Sequence, residues 1–143
     1  MSDGQLLEFC AWPNPTYDPF RHAPDGTLSR LVWLPTIGPT SWLLWGTITT
    51  QLHLTDVVRW DRDQLAEAHG VRRRTQHGWT LTRTLKRLQL FRLMDHHNGI
   101  YRIRTTAPAL SRGALSRLPA DVQQLHANVF GVRYADHPDE PPA

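Results

Sequence analysis

Apolar residues recur at helical spacing at three places along this chain, with alternating stretches in between. Trp42, Leu43, Trp45, Gly46, Ile48, Thr49 and Leu52 form a broad helical face. Gly38-Pro39 precedes it, and proline at an early helical position gives up an N–H that would be unpaired anyway. A helix is therefore predicted from Pro39 to His53. Val57-Val58-Arg59-Trp60 is a β-branched and aromatic run, which predicts a short strand. Asp61 is a good N-cap for a second helix carrying Leu65, Ala66 and Ala68, and Gly70 is suited to its left-handed C-cap. A basic turn, Arg72 to His77, leads into a third helix over 78–90, whose inner stripe is Leu81, Leu85 and Leu88.

Alternation then takes over. Residues 91–95 and 100–104 predict the two strands of a hairpin, and Asn98-Gly99 is a strong signal for its turn. Pro108 ends the second strand. Leu115, Leu118, Val122, Leu125 and Val129 predict a final amphipathic stretch, two helices broken near Pro119. At the other end, Pro13, Pro15, Pro19 and Pro24 break helices and Asp25-Gly26 marks a turn. Residues 1–27 thus read as an irregular arm with Phe9, Trp12, Tyr17 and Phe20 laid across a body, or else as an exposed partner-binding motif. Leu28 to Trp33 reads as a short extended segment, held extended before Pro35. The chain divides into an aromatic, proline-rich arm (1–35), a central domain (36–106), C-terminal amphipathic helices (107–132) and an acidic, proline-rich tail (133–143), expected to be disordered.

Charge sharpens this picture. Between Arg72 and Arg104 stand nine of the sixteen Lys and Arg residues and one acid, Asp95, although the whole chain is only +3. Codon bias toward Arg explains why fifteen of the sixteen bases are Arg, but not why acids avoid this stretch. Positive charge concentrated along one segment is the footprint of a polyanion partner, most often nucleic acid.

Other chemistries find little support. Cys10 is the lone cysteine, so neither an intramolecular disulfide nor a cysteine zinc site is available, and its apolar neighbours predict a packed thiol. His53, His69, His77, His96 and His97 never fall at H-x-x-x-H or HExxH spacing. Asp61 and Asp63 are explained by capping, and Ser41, Ser111 and Ser116 lack a nucleophile-elbow context. No cofactor, no metal and no catalysis are expected. With no apolar run of membrane-spanning length and no export signal at Met1, a cytoplasmic protein is expected.

The order helix, short strand, helix, tight turn, helix, hairpin over Pro39 to Arg104 resembles a winged helix-turn-helix, mainly α with a small β-hairpin. More narrowly, Leu34-Pro35-Thr36-Ile37-Gly38-Pro39-Thr40, Leu81-Thr82-Arg83-Thr84-Leu85-Lys86-Arg87-Leu88 and Leu118-Pro119-Ala120-Asp121 resemble segments of small winged-helix proteins of actinobacteria and their phages and plasmids. The resemblance implies sequence-specific binding of double-stranded DNA and a role in transcription regulation. Helix 78–90 would then enter the major groove and the wing, 92–104, would lie on the backbone. Gly78-Trp79 departs from the pattern, since relatives tend to open that helix with a small polar residue.

If Leu81, Leu85 and Leu88 point inward, Trp79, Arg83, Lys86 and Arg87 surround the opposite face, with Thr80 and Thr84 toward one flank. Arg83 is best placed to read guanine. Arg72, Arg73, Arg74 and His77 precede the helix and would grip phosphates, as would His96, His97, Arg102 and Arg104 from the wing. The plain alternative for Arg83, Lys86 and Arg87 is a solvated helix face. A rival from another class is a protein-binding winged helix that meets a transcription or replication component through the aromatic arm. Of the six tryptophans, Trp42, Trp45 and Trp60 are expected in the core, and Trp12, Trp33 and Trp79 at the surface. The stripe Leu118, Val122, Leu125 and Val129 within 115–130 is a candidate homodimer contact, or else a cover for the helix at Trp42–Leu52.

Overall fold

A computed structural model describes residues 5–13, 22–71 and 81–131, and these form an α+β fold, about half helical, around a four-stranded mixed sheet. The sheet is built from β1 (Leu6–Ala11), β2 (Val57–Asp61), β3 (Met94–His97) and β4 (Ile100–Ile103), in the order β2-β1-β4-β3. β1 runs antiparallel to β2, from Leu6 opposite Asp61 to Cys10 opposite Val57. It runs parallel to β4, from Glu8 opposite Ile100 to Ala11 opposite Ile103. The ladder continues past both ends of β1, through Trp12 N–H to Ile103 O at 2.8 Å and Arg62 N–H to Gln5 O at 3.0 Å.

This central place for β1 corrects the expectation of an irregular arm. Leu7 and Phe9 alternate with Leu6, Glu8 and Cys10, so one face of the strand enters the core while the other stays accessible. The prolines that argued against structure begin only at Pro13. One continuous core reaches from Leu7 through Trp33 and Trp45 to Leu115.

The segment expected to be extended, Leu28 to Trp33, is helical. α1 (Thr27–Val32) starts after Gly26, and α2 (Leu34–Ile37) follows at once with Pro35 in its first turn. A proline there loses no helical hydrogen bond, so the sequence rule applied at Pro35 gave way to a helix start. Trp33 joins the two helices and is only 1% exposed, its indole N–H donating to Pro108 O at 2.8 Å. Trp45 packs edge-on against it at 5.8 Å and donates to Arg104 O at 2.8 Å. The tryptophan assignment is thus corrected at two positions: Trp33 and Trp12 are buried, whereas Trp42 and Trp60 are only partly so. Trp79 lies outside the described residues.

The middle of the chain follows its pattern closely. α3 (Pro39–Leu52) crosses the core, β2 follows, and Asp61 caps α4 (Arg62–Ala68) by accepting from Gln64 N–H at 3.1 Å. α5 (Leu81–Leu90) buries Leu81, Leu85 and Leu88 as expected. Both predicted C-terminal helices are present, α6 (Arg112–Leu115) and α7 (Ala120–Phe130), on either side of Pro119. α7, however, buries His126 and Phe130 rather than the predicted stripe. Leu118 and Val122 pack on the main core and Val129 on a small cluster around Phe130, so most of that stripe is used within the chain. The tail beyond residue 131 lies outside the described residues.

His126 adds a pH dependence. Its Nε2 accepts the Leu110 N–H at 3.0 Å, which requires a neutral ring, and burial pushes its pKa down from 6.5 to about 4. The folded state therefore binds the proton less readily than the unfolded one. The stabilisation is complete above pH 6.5 and declines as pH falls from there toward 4. Thermal melts between pH 7 and about 5 should show this decline. A His126→Gln chain, which keeps an acceptor but does not titrate, should show a flatter profile.

Candidate nucleic-acid interface

Three backbone turns position the basic segment. Gly70 takes φ +67° after α4, and Val71 N–H reaches back to Ala66 O at 2.8 Å while Gly70 N–H meets Glu67 O at 3.2 Å. This left-handed cap delivers the chain into residues 72–80. The same six-to-one closure ends α5, with Leu93 N–H to Leu88 O at 3.0 Å, and here Arg92 holds the left-handed place at φ 61°. Leu88 and Leu93 are both buried, the apolar contact that accompanies this motif. Residues 91–93 are thereby taken up in the helix end, and the hairpin is shorter than the predicted 91–95 and 100–104. Asn98 at φ 52° and Gly99 at φ 81° form its turn, a two-residue left-handed connection, while His96 and His97, expected in the connection, belong to β3.

α5 presents its side chains as three strips. Leu81, Thr84, Leu85 and Leu88 face the core, so Thr84 is buried rather than on a flank. Arg83 and Lys86 are exposed and Arg87 is half-buried. No acid occurs on the helix, whose sequence is LTRTLKRLQL. Arg83, Lys86, Arg87, Leu90 and Phe91 border an open depression of about 450 Å³ on the outer side. Arg72, Arg73, Arg74, His77, Trp79 and Thr80 lie outside the described residues.

The hairpin supplies less free charge than its sequence promised. Arg102 donates through Nε to Asp95 Oδ1 at 2.8 Å and through its second nitrogen to Oδ2. Asp95 stands opposite it in the β3–β4 register. The one acid of the basic stretch thus offsets one of its cations. Arg104 is a correction. It is only 3% exposed, stacks 3.6 Å above the Trp12 ring and donates to Pro13 O at 3.3 Å and Arg92 O at 3.4 Å. A guanidinium so placed holds β1, β4 and the end of α5 together and is not offered to phosphate. A desolvated cation–π contact is worth about 2 kcal/mol and each charged hydrogen bond about 1.5–3, so Arg104→Ala should destabilise by about 3 kcal/mol or more. Chemical denaturation measures this. His97 is exposed on β3, and His96 beside it stacks on Tyr101 at 4.2 Å.

Sequence reasoning missed Arg62, Gln89 and Tyr101. With Thr82, Leu85, Lys86 and His96 they line a second cavity, of about 230 Å³, between the start of α4, α5 and the hairpin. Arg62 lay ten residues outside the basic stretch and next to a capping aspartate, so its charge looked balanced. In the fold its guanidinium donates instead to the Thr82 hydroxyl. Elsewhere, the Cys10 thiol is half-buried and burial pushes its pKa up, as for a packed thiol. Among the described residues no group of three His, Cys, Asp or Glu side chains could hold a metal, and no helix is long and apolar enough to cross a membrane. No protein-family model, curated protein or solved structure matches the chain.

Proposed function

We propose that the chain binds double-stranded DNA in a sequence-specific way, as a winged helix-turn-helix that acts in transcription regulation. In this reading the helix of residues 78–90 enters the major groove and the hairpin rests on the backbone. One observation carries it. α5 buries Leu81, Leu85 and Leu88 completely enough to fix its rotation, and the face it turns outward bears Arg83 and Lys86 with no acid on the helix. A solvated surface helix is usually laced with opposite charges three or four residues apart, and none is present here.

The element order from α3 through β4 supports the same reading. The four-stranded sheet extends it, since β1 is inserted between β2 and the hairpin. The competing role, a partner-binding module built on the aromatic arm, loses two of its four rings: Phe9 is fully buried and Trp12 is 5% exposed.

Arg83 tests the orientation of the helix. A guanidinium that pairs with a guanine edge contributes about 1–3 kcal/mol of discrimination, so Arg83→Ala should lose that much on a preferred site and flatten base preference there. Selection of preferred sequences from a random duplex pool, followed by affinity measurements, reads both quantities. Equal losses on preferred and random DNA would reduce Arg83 to a phosphate contact.

A further inference from the structure

The cavity between α4, α5 and the hairpin has a composition that a helix lying in a groove does not require. Arg62 stands at the first position of α4, while Thr82, Lys86 and Gln89 follow one face of α5 at i, i+4 and i+7. His96 and Tyr101 close the far wall, directly opposite each other in the β3–β4 register. Two permanent cations, an imidazole, a hydroxyl, an amide and a phenol therefore converge on about 230 Å³, and among the described residues no carboxylate lines it. A liquid water occupies about 30 Å³, so there is room for a tetrahedral oxyanion with several waters.

The donors are also held in place. The Arg62 guanidinium is anchored on the Thr82 hydroxyl. His96 stacks on Tyr101 at 4.2 Å, and Tyr101 stacks in turn on the fully buried Phe9 at 5.4 Å. A fixed planar fork beside a mobile ammonium matches the oxygens of a phosphoryl group, and side chains already anchored lose little entropy on binding it. We propose that this pocket is a seat for a phosphoryl group. Its occupant is either one backbone phosphate of bound DNA, which rests on the function proposed above, or a phosphate-bearing small molecule, which does not.

The test uses the full chain labelled with ¹⁵N and titrated with inorganic phosphate at constant ionic strength. Saturable shifts are expected at the amides of Thr82, Lys86, His96 and Tyr101, weakened at least fivefold by Arg62→Ala. The control Arg59→Ala, whose guanidinium pairs with Glu8 at 2.9 Å on the sheet, should bind phosphate as the unaltered chain does. Shifts that are absent, or equally strong in Arg62→Ala, overturn the proposal. Duplex DNA then separates the sources. If a backbone phosphate is the occupant, Arg62→Ala lowers the slope of log affinity against log salt by about one. If that slope is unchanged while phosphate binding is lost, the seat serves a small molecule. Phosphate binding that depends on Arg62 in a chain with no affinity for DNA retains the seat and rejects the DNA reading.

Discussion

A chain that begins at Pro13 will not fold cooperatively. Removing residues 1–12 takes out β1, the strand that carries the hydrogen bonds between β2 and β4, together with Leu7, Phe9 and Trp12, which are 4%, 0% and 5% exposed. Each such side chain contributes about 1.5–3 kcal/mol through burial, against a total stability of about 5–15 kcal/mol for a domain of this size. Arg104 would also lose the ring it stacks on. Direct pairing of β2 with β4 does not rescue the fold. The two are antiparallel to each other, but they stand two strand spacings apart, about 10 Å, and the core side chains between them would be missing. Phe9→Ala isolates one fully buried ring of this strand and should lose about 3–5 kcal/mol. Thermal melts followed by circular dichroism read both. A truncated chain melting as sharply as the full one would remove β1 from the folded unit.

Reversing the charge of Arg72, Arg73 and Arg74 together should abolish most DNA affinity. A change of six charge units in the segment that precedes the proposed recognition helix would replace attraction to phosphates with repulsion. The expected loss is on the order of a hundredfold or more for every duplex sequence, since phosphate contacts grip without reading bases. Arg72, Arg73 and Arg74 lie outside the described residues, so circular dichroism of the altered chain is measured alongside, to separate lost binding from lost folding. Binding that survives the triple substitution would discard the basic segment as the site of contact.

What the sequence disclosed depended on how local the determining interaction was. Between Pro39 and Arg104, α3, β2, α4 and the core stripe of α5 were legible because caps, helical periodicity and the Asn98-Gly99 turn are all local signals, each acting within a few residues. β1 was not legible. Its partners, Val57–Asp61 and Ile100–Ile103, lie tens of residues away, and six residues of alternation beside a run of prolines carry little weight on their own. Trp33 and Trp12 were misplaced for the same reason, their burial being set by Pro108 and by Arg104.

The candidate site divides along similar lines. The exposed face of α5 was read from spacing alone. A count of charges along the chain could not separate Arg104, which is buried, from Arg83, nor Arg102, which is paired, from Lys86. It also could not bring Arg62 beside Thr82, because that proximity arises only when α4 and α5 fold together.

Titration of the full chain with unrelated duplex DNA across a series of salt concentrations tests the central claim most directly. A protein that neutralises about six phosphates gives a slope of log affinity against log salt of roughly −5, with binding readily detected at about 50 mM salt and strongly weakened by about 200 mM. No binding at the lowest salt, or an affinity that does not respond to salt, would contradict DNA binding through the basic segment and α5.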